Sequence, residues 1–331
     1  MRRKPALALA LAGAIAAAIG VHAALAHTSK ATVQTGVVVV ETNLAYENGA
    51  AAGTGIVLTS SGQVLTNNHV IRGAKTIHVV VPGTRTTYSA RVLGYDVTAD
   101  VALLQLRHAS GLATATIGDS SKLARGQTVT AVGNAGGTGS LAVTRGRITG
   151  LGRTITVSDD QGGTVQLADL VETNASLQPG DSGGPLLDSV HRVVGMDSAA
   201  SANFTFHATN DAYAIPINRA VAIAKQIVGR HGSAQVHVGE TAFLGLQVQP
   251  AGLLDTGVLV GGVVSSGPAA DAGVVAGDII TAVGGRQVVS AAKLVSALLV
   301  HHPGDKVELV WTDPSSGRHS STITLASGPP Q

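Results

Sequence analysis

Short runs of apolar and β-branched residues recur along the first two thirds of the chain, and glycine-rich or polar turns separate them. Runs of this length and composition favour β-strands over helices. Since almost no helical pattern lies between them, the sequence predicts an all-β architecture for this part. The predicted strands cover residues 37–41, 56–59, 63–66, 76–81, 86–95, 101–106, 128–132, 141–149 and 212–217.

The pattern changes after residue 217, and a predicted linker further along the chain marks the boundary to a second region. Asn218 is predicted to cap a helix that ends at Gly229, and the polar residues 230–240 are predicted to form a linker. Strands and short helices then alternate, and residues 328–331 are expected to be a frayed end. The predicted strands are 258–264, 279–283 and 307–312, and the predicted helices are 267–274 and 290–300.

The first 26 residues have the composition of an export signal. A basic start at residues 1–4 precedes an Ala/Leu-rich stretch, residues 6–26, that ends in Ala24-Leu25-Ala26. This arrangement predicts export with cleavage after Ala26, while an uncut stretch is just long enough to span a bilayer. In either case the rest of the chain is expected outside the cytoplasm, in a cell envelope or periplasmic-type space or secreted, with possible membrane anchoring through residues 6–26.

Composition narrows the functional class. The 331 residues suit two domains, and a hydrophobic fraction of 44% provides for packed cores. A formal net charge of +2, an aromatic fraction of 2% and the lack of a basic cluster argue against nucleic acid as a partner. The chain has no cysteine, which excludes disulfides and thiolate metal sites. No metal or organic cofactor is expected.

One glycine-rich motif, Gly180-Asp181-Ser182-Gly183-Gly184-Pro185, predicts a nucleophilic serine. Gly180 permits a turn that points the N–H groups of residues 180 and 182 the same way, so that the segment Gly180, Asp181 and Ser182 forms an oxyanion hole. Gly183 and Gly184 leave the approach to the Ser182 hydroxyl open. An ordinary glycine-rich turn is the alternative, and upstream partners for the serine argue against it.

Those partners are a histidine and an aspartate. A serine hydroxyl needs a base to remove its proton, and the base needs a third group to orient it. His69 lies where an apolar strand gives way to a turn, and Asp100 lies at the head of a hydrophobic strand. The order His69, Asp100, Ser182 predicts a catalytic triad.

The motifs Thr66-Asn67-Asn68-His69-Val70, Asp100-Val101-Ala102-Leu103-Leu104 and Gly180-Asp181-Ser182-Gly183-Gly184 resemble those of chymotrypsin-fold serine proteases, and more narrowly the HtrA (DegP-like) family. The resemblance covers residues 35–326. It implies a trypsin-like protease domain at 35–229 made of two six-stranded barrels, a linker at 230–240 and a PDZ domain at 241–326. His69 and Asp100 would come from the first barrel and Ser182 from the second, with the triad in the cleft between them.

The same resemblance implies a substrate preference. Trypsin-like relatives that cut after Lys or Arg have an Asp six residues before the nucleophile, where this chain has Ser176 followed by Leu177. Ser198 matches the serine that supports the catalytic Asp, and Ala199 and Ala200 would form a small pocket wall. We therefore expect cleavage after small or medium apolar residues such as Val, Ala or Leu.

In the second region, Phe243, Leu244, Gly245 and Leu246 look like the carboxylate-binding loop of a PDZ domain, whose backbone N–H groups receive the C-terminus of a peptide. The helix at 290–300 is expected to flank the peptide groove. HtrA trimers use N-terminal aromatics, of which this chain offers little beyond Tyr46, so a homotrimer is only a possible partner arrangement.

Together these features predict an exported serine endopeptidase that acts on misfolded or exposed protein segments through an acyl-enzyme, with recruitment or regulation by the PDZ domain. Two alternatives from other classes remain open. One is a chaperone or peptide-binding protein with a latent protease domain, and the other is a membrane-tethered PDZ scaffold.

Overall fold

The computed structural model describes residues 32–44, 49–158, 164–198, 212–249 and 257–331. Six antiparallel strands in its N-terminal part form what we call the first barrel, in the order β5-β4-β1-β2-β3-β6, and β5 also pairs with β6 to close the ring. Valines on β1 and leucines on β6 fill its interior. The strands are β1 (Val37–Leu44), β2 (Ala50–Val57), β3 (Gln63–Thr66), β4 (Ala74–Val81), β5 (Thr86–Asp96) and β6 (Val101–Leu106), and a four-residue helix, α1 (Asn68–Ile71), follows β3.

The second barrel is also closed and six-stranded, in the order β10-β11-β12-β9-β8-β7. The predicted double-barrel, mainly β fold is therefore confirmed. Its strands are β7 (Thr128–Gly133), β8 (Ala142–Ser158), β9 (Thr164–Thr173), β10 (Pro185–Leu187), β11 (Val193–Ser198) and β12 (Ala212–Pro216).

A helix, α2 (Ile217–Val228), follows the second barrel and buries one apolar face that includes Ile223 and Ile227. The predicted cap at Asn218 is wrong, since the helix begins at Ile217 and Pro216 is its N-cap residue. The Asn218 amide instead donates to Asp119 at 2.8 Å. The predicted end at Gly229 agrees with the observed C-cap.

The segment predicted as a linker contains a strand, β13 (Val236–Val238), which pairs with β5 at the edge of the first-barrel sheet. Local sequence gives little sign of it, because the strand is only three residues long. Gly94 on β5 makes the approach possible, since a Cβ there would collide with the His237 carbonyl oxygen.

The C-terminal part builds a sheet in the order β15-β16-β17-β19-β20, with two more strands, β14 and β21, paired to each other. Trp311, Leu309 and Ile280 lie in its core. Its strands are β14 (Thr241–Phe243), β15 (Leu246–Gln249), β16 (Val258–Val263), β17 (Ile279–Val283), β18 (Arg286–Gln287), β19 (Lys306–Thr312), β20 (Arg318–Thr324) and β21 (Ala326–Gly328), and its helices are α3 (Pro268–Asp271) and α4 (Ala291–Leu298).

The expectation of a frayed end at residues 328–331 is wrong. Gly328 pairs with Thr241, Pro330 is buried, and its carbonyl oxygen accepts a hydrogen bond from the Gly73 amide at 2.8 Å. The C-terminal part also contacts the first barrel through Leu299, which is buried in the same core as Tyr95 and Ile71. The His237 ring bridges the two parts, with its nitrogens 2.8 Å from the Leu299 carbonyl oxygen and 3.0 Å from that of Glu240.

Candidate active site

His69 is the second residue of helix α1, directly after the buried strand β3. Its Nδ1 lies 2.8 Å from Oδ2 of Asp100, and its backbone N–H donates to Oδ1 of the same carboxylate at 2.9 Å. Only 7% of the His69 side chain and 5% of the Asp100 side chain are exposed, so water competes little for this contact. One carboxylate thus fixes both the ring and the backbone of His69.

Asp100 is itself held in a defined conformation. Its φ of 55° lies in the left-handed region, which a non-glycine residue seldom adopts. The Asn67 side-chain amide donates to the Asp100 carbonyl oxygen at 2.9 Å. The Ser198 hydroxyl, which comes from β11 of the second barrel, donates to Asp100 Oδ2 at 3.3 Å. The structure therefore brings the predicted residues His69, Asp100 and Ser198 together.

The turn before Ser182 has the signature of a type II β-turn. The Asp181 amide donates to the Gln178 carbonyl oxygen at 3.0 Å, with Pro179 at the second position and Gly180 at the third. Gly180 has a φ of 99°, and a Cβ on it would collide with the Asn134 carbonyl. Only glycine fits this position, because type II turns require positive φ at their third residue.

Two hydrogen bonds in this turn determine where the backbone N–H groups point. The Pro179 carbonyl accepts from Gly136 N at 2.7 Å, and the Asp181 carbonyl accepts from Gly184 N at 2.9 Å. In a trans peptide the N–H points away from the preceding carbonyl. The N–H groups of Gly180 and Ser182 therefore point away from Gly136 and Gly184, respectively.

Thr54 of the first barrel, which the sequence interpretation missed, holds this turn in place. Its amide donates to the Ser182 carbonyl at 2.8 Å, and its hydroxyl donates to the Gly180 carbonyl at 2.7 Å. The same hydroxyl accepts from the Asn134 amide at 2.9 Å. Thr54 is fully buried, and its position between two glycines in a strand was the available signal.

Gly53 marks the point where the histidine helix and the serine segment meet. A Cβ on Gly53 would lie 2.7 Å from a methyl group of Val70 and 3.2 Å from the Ser182 carbonyl oxygen. Val70 follows His69 directly, so the backbones that carry His69 and Ser182 approach each other across this glycine. A side chain here would separate them.

A cavity of about 210 Å³ adjoins the serine segment and is lined by Ser176, Gln178 and Asp181 together with residues of β7 and β8. Leu177 is partly buried and packs against the core of the second barrel. Asp181 brings a carboxylate to the same cavity as Ser176. The sequence analysis did not place a carboxylate there. Ala199 and Ala200, the predicted pocket wall, lie outside the described residues.

Two buried carboxylates lie in or beside the serine segment, since Asp181 belongs to it and the Asp197 backbone bonds Gly183 and Gly184. Asp197 is fully buried, and neither of its carboxylate oxygens has a hydrogen-bond partner among the described residues. Burial, together with the nearby negative charge of Asp181, raises the pKa of Asp197 well above its ordinary value. Burial also raises the pKa of Asp181, and the hydrogen bond from the Gln178 amide offsets part of that rise.

The predicted peptide-binding loop lies at the start of the edge strand β15. Gly245 has a φ of 79°, and its carbonyl accepts from the Val264 amide at 2.8 Å. The Leu244 carbonyl accepts from the Ala269 amide at 2.9 Å, and the Leu244 side chain is buried. Residues 243–246 thus lead into a strand that pairs on one side with β16 and has no strand partner on its other side among the described residues.

Metal-binding clusters and membrane-spanning helices are both absent from the described residues. Within these ranges, no group of three or more acidic or histidine side chains is arranged to hold a metal ion. Of the helices described, none is long and apolar enough to cross a bilayer. The predicted signal or anchor segment, residues 6–26, falls outside the part of the chain that the structure describes.

The sequence matches two family models, a trypsin-like peptidase domain at residues 53–196 and a PDZ domain at residues 242–312. It is 33% identical to the serine protease PepD of Mycobacterium tuberculosis (strain ATCC 25618 / H37Rv) over 304 residues, which cover 87% of this chain and 63% of that protein. It is 35% identical to the periplasmic pH-dependent serine endoprotease DegQ of Escherichia coli (strain K12) over 264 residues, which cover 78% of this chain and 55% of that protein. The chain therefore spans less than two thirds of the length of both relatives.

Among solved structures, the chain resembles the HtrA-type protease AlgW with tripeptide. The TM-score is 0.52 at 25% sequence identity, and the match covers 90% of this chain and 95% of the other. The fold, the two matched domains and these relatives agree on one assignment. The chain belongs to the HtrA family, in which a trypsin-like peptidase domain is followed by a PDZ domain.

Proposed function

We propose that this protein is a serine endopeptidase that hydrolyses peptide bonds through an acyl-enzyme on Ser182. The observation that carries the proposal is the contact of 2.8 Å between His69 Nδ1 and Asp100 Oδ2, on a helix that meets the serine segment at Gly53. Relatives named as serine proteases support the same activity.

In the proposed mechanism, His69 takes the Ser182 proton through Nε2 as the Ser182 oxygen attacks the substrate carbonyl carbon. Asp100 holds the ring in the tautomer that carries its proton on Nδ1, and it stabilises the imidazolium that forms. His69 then gives the proton to the leaving amine, and water repeats the sequence to release the acyl group. No cofactor takes part in these steps.

The N–H groups of Gly180 and Ser182 stabilise the negative charge that develops on the carbonyl oxygen. One such donor typically contributes about 3–4 kcal/mol to transition-state stabilisation. The turn is already formed, since Asp181 N bonds Gln178 O and Thr54 holds the Gly180 carbonyl. Little reorganisation is then needed at the moment of reaction.

We further propose cleavage after small or medium apolar residues. Ser176 occupies the position where trypsin-like relatives place the aspartate that binds Lys or Arg, and Leu177 adds an apolar surface beside it. Peptide libraries varied at the cleaved position test this. Val, Ala or Leu should be turned over fastest, and a preference for Arg would overturn the assignment and implicate Asp181, which lines the same cavity.

The domain division that we propose places the protease at 35–229, the linker at 230–240 and the PDZ domain at 241–326. The matched ranges 53–196 and 242–312 support it. By its pairing with β5, β13 extends the protease sheet into the linker. The edge strand β15 and the loop at residues 243–246 would receive the C-termini of apolar peptides by strand addition.

Location and assembly are part of the same proposal. Residues 1–26 are proposed to direct export, in line with a relative that is named as periplasmic, and residues 6–26 would anchor the protein to a membrane if they are not cleaved. Protein quality control outside the cytoplasm is the role that fits a protease with a peptide-binding domain. A homotrimer is the assembly proposed from the resemblance.

Labelling with a fluorophosphonate probe tests the activity. The purified protein should react, and Ser182→Ala and His69→Ala should both abolish the reaction. Degradation of unfolded casein, lost in Ser182→Ala, would extend the result to protein substrates. A wild-type protein that stays unlabelled even with added C-terminal peptides would overturn the proposal in favour of a peptide-binding protein with an idle protease domain.

A further inference from the structure

The three residues that follow β21 leave the PDZ sheet and contact the first barrel beside His69. The Pro330 carbonyl accepts from the Gly73 amide at 2.8 Å, and the Gln331 carbonyl accepts from the Asn68 side-chain amide at 2.9 Å. Pro330 is buried. We call residues 329–331 the clasp segment, because these two contacts lie on either side of His69 in the sequence.

The helix that the clasp segment contacts has little stability of its own. It spans only Asn68–Ile71, and its N-cap residue Asn67 makes no capping hydrogen bond. Isolated helices of this length are unstable in water, since one turn fixes several residues for a single hydrogen bond. The position of His69 must therefore come from tertiary contacts.

The clasp segment is fixed at its other end as well. β21 pairs with β14, where Gly328 lies opposite Thr241. The Thr241 hydroxyl lies 3.1 Å from the hydroxyl of Tyr95, a fully buried residue of β5, and the Gln331 amide donates to the same Tyr95 oxygen at 3.4 Å. The PDZ sheet, the first barrel and the clasp segment thus meet at one buried tyrosine.

We propose that the clasp segment and Asn68 position His69 for the reaction, which makes the residues that follow the PDZ domain a structural support of the active site. This inference rests on the proposed function, in which His69 is the base. Pro330, Gln331 and Asn68 are positioning residues, since they act through the helix that carries His69.

Deletion of residues 329–331 tests the proposal. We expect kcat to fall about tenfold with KM changed less than twofold, because a small misplacement of the base slows proton transfer without weakening substrate binding. Ser327→Ala is the matched control, since it removes a contact of the preceding strand β21, the 3.2 Å hydrogen bond to Glu240, that does not involve α1. This control should retain wild-type kcat.

A second variant separates positioning from folding. Asn68→Ala removes one clasp contact without deleting any residue. We expect kcat to fall in this variant as well, but less than in the deletion. The NMR signal of the proton between His69 Nδ1 and Asp100 gives a readout independent of turnover. It should shift or broaden in both variants and stay unchanged in Ser327→Ala.

The outcomes distinguish this inference from the proposed function. If the wild-type protein reacts with fluorophosphonate and both variants react at the same rate with an unchanged His69 proton signal, the positioning role is wrong and the protease assignment stands. If the wild-type protein does not react, the protease assignment falls. The His69 signal then still decides whether the clasp segment holds the helix.

Discussion

His69 and Asp100 lie on neighbouring elements of the first barrel and bond each other directly, whereas the Ser182 segment depends on Thr54, a residue of the opposite barrel. A carboxylate of its own barrel thus bonds the base directly, with further contacts from Ser198 and the clasp segment, whereas contacts across the cleft hold the nucleophile segment. The relative position of the two is set where they meet, at Gly53. Substitutions next to the base should therefore lower mainly kcat, whereas substitutions that loosen the serine segment should lower both kcat and stability.

The largest effect is expected from Asp100→Asn. An amide at this position favours the wrong His69 tautomer, and such a change lowers kcat by about 10⁴-fold in a Ser-His-Asp enzyme. Steady-state kinetics should show this loss with little change in melting temperature. Asp96→Asn is the control, since Asp96 is also buried but accepts from Thr98 and Ala99 instead of His69. Comparable losses of kcat in both variants would contradict the role of Asp100.

On the serine side, Thr54→Val should lower both stability and turnover. The variant leaves the Asn134 amide without its acceptor and the Gly180 carbonyl without its donor. Each buried group left unpaired costs about 1–3 kcal/mol of unfolding free energy. We also expect lower kcat, because the Gly180 carbonyl belongs to the turn that orients the proposed oxyanion hole.

Thr173→Val provides the matched control for this change. Thr173 is also fully buried, donates to the Arg147 carbonyl at 3.0 Å and accepts from the Ala175 amide at 3.1 Å. Denaturant unfolding should show a similar loss of stability, while kcat should stay near the wild-type value. If Thr54→Val also leaves kcat unchanged, the serine turn does not need support from the opposite barrel.

Gly53→Ala tests the close approach between the helix that carries His69 and the serine segment. The new methyl group would press on Val70 at 2.7 Å and on the Ser182 carbonyl at 3.2 Å. Such overpacking typically costs about 1–3 kcal/mol, and separation of His69 from Ser182 should lower kcat/KM. Gly83→Ala, where no atom lies within 4 Å of the added methyl, should change stability by less than about 0.5 kcal/mol. Equal effects in the two variants would show that Gly53 is not a point of close contact.

The smallest effect on stability is expected from Asp197, which is buried beside the serine segment. The pKa of the Asp197 carboxyl is raised in the folded protein. The folded protein therefore keeps this proton at pH values where the unfolded chain, with the ordinary pKa of 3.8, has released it. Stability from this group is therefore present at low pH and lost as pH rises from about 4 toward the raised pKa. Asp197→Asn cannot ionise, so it should be more stable than the wild type at neutral pH, by an amount that shrinks toward pH 4.

Asp188→Asn should show the opposite sign in the same unfolding measurements. Burial alone would raise the pKa of Asp188, but hydrogen bonds from Arg192 and Val190 together lower it below the ordinary value. Its ionised form therefore stabilises the folded protein above the unfolded pKa, and the variant should lose stability at neutral pH. Two variants with the same sign would contradict the assignment of a buried, unpaired carboxylate at Asp197.

Local sequence patterns were enough to predict most strands and the serine segment. Apolar runs bounded by turns located most strands of both barrels, because strand period and turn residues are local signals. The motif around Ser182 was readable for the same reason, since a type II turn needs glycine at position 180. The resemblance to the HtrA family then supplied the domain order.

The distant segments that support the site are visible only in the folded chain. Thr54 reaches Gly180 across 126 residues of sequence, and Asn68 reaches Gln331 across 263. Local sequence does not identify the partner in either pairing, because the glycines around Thr54 and the prolines before Gln331 look the same whether or not a remote segment approaches them. The clasp segment was expected to fray for that reason, and the strand β13 was read as a linker. Local pattern specifies elements, while contacts between remote elements depend on how the whole chain packs.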